Sequence, residues 1–153
     1  MDAMGRAVNY LNIKPRTRAQ VEKYLISKGY ESSEIEKVID ELQEYSYIDD
    51  RNFARLYFEL GFEKGRGLSR IKRELAEKGV DRETIEAAYE ELENVPDPYE
   101  MAMAIAEPIA RDYNTDEMTY EEKTKLQAKI LRRLATRGYS GDVAYKVARE
   151  CVK

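Results

Sequence analysis

Apolar side chains recur three and four positions apart along most of the chain. Ile35, Val38, Ile39 and Leu42 follow the i, i+3, i+4, i+7 spacing of one helical face, Val21, Tyr24 and Leu25 follow its first three positions, and Ile85, Ala88, Tyr89 and Leu92 repeat it. At 3.6 residues per turn this spacing gathers the apolar groups into a stripe and leaves the polar ones to water, so each segment predicts an amphipathic helix. Further helices are predicted over Met4 to Leu11, over Phe53 to Phe62 behind Asp49 and Asp50 as N-cap candidates, and over Tyr99 to Tyr113 with a kink at Pro108. Ser33 and Glu36 have the spacing of a capping box ahead of the Ile35 stripe.

Three stretches align without gaps: Val21 to Tyr30, Ile71 to Val80 and Ile130 to Tyr139. Each runs from an aliphatic residue to Leu four later, then a basic residue, Gly and an apolar residue. That order predicts a helix ending, with the cation beside the exposed carbonyls and Gly free to take the left-handed conformation. Gly29, Gly79 and Gly138 lie 50 and 59 residues apart, so the third stretch carries about nine extra residues, expected around Asp112 to Glu122. A helix precedes and follows each stretch, through links at Lys14-Pro15 and Gly65-Arg66-Gly67, and Asn94 to Pro98 separates the second group from the third. The expected fold is all-α, a tandem array of three three-helix, helix-turn-helix-like repeats at 1–46, 47–95 and 96–153. Stacked repeats align equivalent faces, so the array is expected to be elongated or curved.

Composition sharpens this picture mainly by exclusion. Charged residues make up 37% of the 153-residue chain, above the usual share of about 25%, which suits helices with wide solvated faces. Histidine is absent, removing imidazole acid–base catalysis, Ser-His-Asp triads and His-containing metal sites. The single cysteine, Cys151, rules out an intrachain disulfide or a cysteine cluster and reads as a small apolar residue of the last helix. No apolar run approaches a membrane span and Met1 to Tyr10 lacks signal-peptide character, so a soluble, intracellular protein with no cofactor, no metal and no membrane contact is expected.

The net charge of −4 hides a segregation. Residues 14–28, 64–78 and 123–137 carry net charges of +4, +4 and +6, leaving −18 on the remainder. Four basic positions recur in the register that glycine sets: Lys14, Lys64 and Lys123; Arg16, Arg66 and Lys125; Lys23, Arg73 and Arg132; Lys28, Lys78 and Arg137. The helix dipole suffices for the last set, which closes the helices. The other three precede the middle helix or lie in its first half, where a cation does not help the dipole. They form either a solvated face paired with acidic helices or a basic stripe presented to an anionic partner. With Arg70, those three sets are the candidate partner- or DNA-binding residues.

Three local features stay ambiguous. Lys64-Gly-Arg-Gly-Leu-Ser-Arg70 presents a Gly-flanked arginine before a helix start, which suits a phosphate or partner contact or a plain turn, but it lacks the spacing and Lys-Ser/Thr end of a nucleotide loop. Among 12 tyrosines, Tyr24, Tyr30, Tyr89 and Tyr139 fall on the apolar frame and read as core rather than as base-stacking platforms. Asp49-Asp50, with a helix directly after them, read as caps rather than as metal ligands or catalytic acids.

Tyr47-Ile-Asp-Asp-Arg-Asn-Phe-Ala-Arg-Leu-Tyr57, continuing through Lys64 to Val80, strongly resembles the RecX family of bacterial regulatory proteins that modulate the RecA recombinase. Tyr10-Leu11, Arg16, Arg18, Val21 and Gly29-Tyr30 carry the resemblance into the first group, and the third group carries it weakly. The resemblance implies a monomeric, non-catalytic protein that enters the groove of a RecA–DNA filament and suppresses strand exchange, ATP hydrolysis and coprotease activity, with weak binding to single- or double-stranded DNA. Family members are often basic, so the acidic total here points to the filament rather than to free DNA. A helix-turn-helix-like DNA-binding module without a recombinase partner, and a purely protein-binding helical scaffold, are the alternatives that the residues leave open.

Overall fold

The apolar stripes become helices in the computed structural model, which describes residues 1–153. Nine α-helices and one 3-10 turn follow in order: α1 Ala3–Ile13, α2 Arg18–Ser27, α3 Ser32–Glu44, α4 Asp50–Glu63, α5 Leu68–Glu77, α6 Arg82–Glu90, α7 Pro98–Arg111, the turn Thr115–Glu117, α8 Tyr120–Arg137 and α9 Gly141–Cys151. The three aligned stretches end α2, α5 and α8. Gly29, Gly79 and Gly138 adopt φ of +87°, +88° and +96°. The amide after each glycine then donates five residues back, Tyr30 to Leu25, Val80 to Leu75 and Tyr139 to Leu134, at 3.4, 3.1 and 3.1 Å. This closure satisfies carbonyls that the helix end leaves open.

The chain divides into two compact units, Met1–Tyr57 with Arg73–Leu92, and Phe58–Lys72 with Glu93–Lys153, so α4 and α5 each give one end to either unit. In the first unit, Ala3 and Ala7 of α1 meet Val21 and Leu25 of α2 and Ile35, Val38, Ile39 and Leu42 of α3, with Ile48 closing the cluster. In the second, Ala102 and Ala106 of α7 meet Leu126, Ile130 and Leu134 of α8 and Ala144, Val147 and Ala148 of α9. Alanine faces on α1 and α7 fill little volume and leave the larger aliphatic side chains to occupy each core, where each fully buried one stabilises by about 1.5–3 kcal/mol. Cys151 ends α9 half-buried with its Sγ 3.8 Å from the Met103 sulfur, and burial first, then Glu107 and Glu150, pushes its thiol up, so it behaves as the small apolar group expected.

Several local expectations need correction. The Ser33–Glu36 box does not form: the Gly29 turn delivers the chain into α3 two residues earlier than expected, with Glu31 at the N-cap and no side-chain cap bond. Leu92 lies beyond α6, whose last helical residue is Glu90. The helix at Pro108 ends at Arg111, only three residues on. The extra residues of the third group lie largely inside α8, which has 18 residues where α2 and α5 each have 10. A capping box at Thr119 and Glu122 starts this helix early, with reciprocal bonds of 3.2 and 3.1 Å.

Candidate partner-binding surface

The cations of the first unit divide into those held by the fold and those presented to solvent. Arg16 is held. Its guanidinium stacks 4.1 Å above Tyr10, Tyr10 stacks on Tyr24 at 4.0 Å and 6° between planes, and Lys28 closes the far side with its ammonium 5.5 Å from the Tyr24 ring. This four-layer ladder combines two cation–π contacts with one ring pair, each of order 0.5–1 kcal/mol or more. It fixes the link before α2 through Arg16, whose Nε is buried without a hydrogen-bond partner. Lys14 and Lys23 are exposed. Arg73, also exposed, reaches Glu77 at 3.8 Å one turn along α5, a contact worth little in water.

Lys23 opens onto a crevice of about 420 Å³ that Tyr57, Glu74, Glu77 and Lys78 also line, with Lys78 5.6 Å from the Tyr57 ring. Its floor is the contact of the α2 start with the α5 end. Buried Thr17 accepts the Gln20 N–H at 3.1 Å and donates its own hydroxyl hydrogen to the Lys78 carbonyl at 2.6 Å. A Cβ on Gly79 would lie 2.2 Å from the Ala19 Cβ, so only glycine permits the approach. Asp50 adds a further cap. Asp49 receives the Asn52 N–H of its own helix at 3.0 Å, whereas Asp50 accepts the Arg18 N–H of α2 at 2.8 Å. Burial raises the Asp50 pKa, opposed by that hydrogen bond.

The second unit makes the same kind of junction from different atoms. The Gly67 N–H donates to the Arg137 carbonyl at 2.7 Å, and a Cβ on Gly138 would fall 2.3 Å from the Arg70 Cβ. Lys78 and Arg137 occupy the same register position, and each supplies its carbonyl to the start of another middle helix. The Gly65-Arg66-Gly67 segment is therefore a built turn. The Gly65 N–H goes to the Phe62 carbonyl at 2.9 Å, the Arg66 N–H to Gly61 at 2.9 Å and the Gly67 N–H to Arg137, so these three amides are already engaged within the fold. The Arg137 guanidinium also reaches the Lys64 carbonyl at 3.5 Å, and the Tyr139 hydroxyl donates to the Gly65 carbonyl at 2.9 Å.

The remaining candidates spread along α8 and its surroundings. Lys64, Lys125 and Arg132 are exposed; Arg66, Arg70 and Lys123 are partly buried. Lys14, Arg16, Lys64 and Arg66 precede their helices, but Lys123 and Lys125 stand inside the first turns of α8, because the Thr119 box starts that helix early. The register equivalence of those two positions is thus one of sequence, not of local structure. One cationic group escaped the sequence argument. Lys146, Arg149 and Lys153 line a cavity of about 460 Å³ with Gln127, whose side-chain N–H donates to the Val152 carbonyl at 2.9 Å. Lys146 and Arg149 lie three apart on α9, and Lys153 follows four further on, just past the helix end; that spacing was the available signal.

Three-helix groups closed by caps, glycine turns and charge–ring contacts define an all-α helical protein. Comparison makes the class particular: residues 3–42 match the model of the first RecX three-helix domain and residues 49–88 that of the second. The chain is 35% identical over 135 residues to "Regulatory protein RecX" of Clostridium tetani, covering 88% of itself and 60% of that relative. It is 30% identical to the Mycolicibacterium smegmatis protein of that name, covering 95% of itself and 77% of the relative. The crystal structure of RecX from Lactobacillus salivarius superposes with a TM-score of 0.80 at 28% identity, over 97% of this chain and 94% of that one. The chain belongs to the RecX family, a family of regulatory proteins rather than enzymes, and spans about half to three quarters of the length of its curated relatives. No helix is long and apolar enough to cross a membrane.

Proposed function

We propose that the chain is a negative regulator of the RecA recombinase that binds the RecA–DNA filament and lowers its ATPase, strand-exchange and coprotease activities in the cytoplasm, acting as a monomer. Membership of the RecX family is the observation that carries this reading. The repeats are taken as 1–46, 47–95 and 96–153, with cations carried on or just before the middle helix of each. Among these, Lys14, Lys23, Lys64, Arg73, Lys125 and Arg132 are exposed, and so suit contact with phosphates or an acidic surface. A filament offers protein as well as phosphate, so specific polar and apolar contacts can add to a few charge contacts. Bare DNA offers mainly counterion release, which salt suppresses.

The test has two parts. Substoichiometric amounts of the chain should depress the single-strand-dependent ATP hydrolysis of RecA. Titrations of RecA-coated and bare single-stranded DNA over a salt series should then give tighter binding, with a shallower salt slope, to the coated form. No effect on ATP hydrolysis, together with equal affinities and slopes, would assign the chain to simple DNA binding instead.

A further inference from the structure

A cleft of the second unit has chemistry opposite to that of the cationic positions. Where the end of α4 meets the segment leading into α7, a cavity of about 600 Å³ has apolar walls from Phe62, Val95 and Met101 and a rim that includes Glu59, Glu63 and Glu93. Pro96 and Pro98 flank the Val95 side: Pro98 opens α7, and Asp97 caps it through the Tyr99 N–H at 3.0 Å. Proline fixes φ and biases the residue before it toward extended backbone, so the wall is preformed rather than folded around a ligand. Val95 is 46% exposed, and Leu60, on the same final turns of α4, is 53% exposed. A cavity of this size lies within the usual range for bound side chains or small ligands, about 300–1,000 Å³. Met101 lends adaptable apolar contact.

The rim decides the occupant. Carboxylates close to an apolar wall repel the phosphates of a nucleic acid and attract ammonium and guanidinium groups. We propose that this cleft docks a basic peptide segment of a partner protein, with one large apolar side chain seated on Phe62, Val95 and Met101 and flanking Lys or Arg side chains against Glu63 and Glu93. The site does not depend on which partner the cationic positions of the middle helices meet. It gives the chain two surfaces of opposite sign, one for anions and one for a cationic protein segment.

The test uses the full chain, labelled with nitrogen-15, and a short synthetic peptide with two leucines one helical turn apart between lysines and arginines. Amide shifts should concentrate in residues 59–63 and 93–101, and replacing both leucines by serine should weaken binding about tenfold. Glu63→Lys with Glu93→Lys, both exposed positions, should weaken the leucine peptide similarly and leave the melting curve unchanged. Val95→Ser should reproduce the loss through the apolar wall alone. The proposal fails if the serine peptide binds equally well, if the shifts spread over the acidic faces of α3 and α6, if the variants bind like the parent, or if sedimentation shows a second copy of the chain occupying the cleft.

Discussion

Gly79→Ala and Gly29→Ala impose the same backbone strain in different surroundings. Both glycines hold φ near +88°, where an L side chain costs about 1–2 kcal/mol. Around Gly29 nothing lies within 4 Å of the added Cβ, so the strain is the whole effect. At Gly79 the same Cβ would sit 2.2 Å from the Ala19 Cβ, and the conflict must be relieved by moving α2 off the α5 end, stretching the Thr17–Lys78 bond. Forcing a methyl into a closed contact costs typically about 1–3 kcal/mol more. Gly79→Ala should therefore lose about 2 kcal/mol beyond Gly29→Ala, a further drop in melting temperature of roughly 4–8 °C for a chain of this size. Urea and thermal melts by circular dichroism read both quantities. Ala19→Gly in the Gly79→Ala background removes the clashing partner, and although glycine in a helix costs about 1 kcal/mol by itself, the pair should be less destabilised than the sum of the singles. Equal losses for the two alanine variants, or strict additivity of the double variant, would show that the junction yields freely and carries no packing constraint.

Thr17→Val keeps the shape of a fully buried side chain but removes the α2 cap and the bond to the Lys78 carbonyl, and should cost about 2 kcal/mol in urea melts. Asp50→Asn should shift the pH dependence of stability. Burial raises the folded pKa of Asp50, so its contribution is fullest below the unfolded value and is lost as pH rises through the folded one. The Asn variant escapes that loss and should compare more favourably with the parent at neutral than at acid pH; Asp81 and Glu122, lowered by hydrogen bonds from Thr84 and Thr119, act in the opposite sense in both proteins. Replacing Lys23, Lys125 and Arg132 together by Glu should change stability by no more than about 0.5 kcal/mol per site, yet weaken binding to RecA-coated DNA; undiminished inhibition of RecA would remove them from the surface.

What the sequence makes legible is local. The stripes at Ile35 and Ile85, the glycine turns and the Asp49 cap are all decided within one or two turns of chain, where spacing and residue type suffice. The features it hides are set by atoms remote in sequence. Asp50 looks like a second cap for its own helix, yet its carboxylate serves Arg18, 32 positions away. Gly67 looks like part of a phosphate loop because the pattern shows glycine beside arginine, but its cause is the Gly138 backbone, whose oxygen would lie 2.3 Å from any Cβ there. The Thr119 box was visible in Thr-Tyr-Glu-Glu and outweighs the glycine register in deciding where α8 begins.

The recurring cations show why charge alone overstates a binding face. Three causes produce the same one-letter pattern. Lys28 and Lys78 recur because a cation beside the helix end also lies against a tyrosine ring, at 5.5 and 5.6 Å. Arg16 recurs with Arg66 by position, yet it is spent inside the tyrosine ladder, and Arg70 lends its Cβ to the Gly138 contact. A cation already desolvated against a ring or a backbone turn has little left to give a phosphate, since its hydration has been exchanged once and its geometry is fixed. Lys14, Lys23, Lys64, Lys125 and Arg132 keep their exposure and their freedom, so they can exchange hydration for a partner's oxygen without breaking the fold. Binding and stability should therefore separate cleanly: charge reversal among those five alters binding first, whereas loss of Arg16 or Arg70 alters melting first, and any effect on binding follows from the turn it loosens.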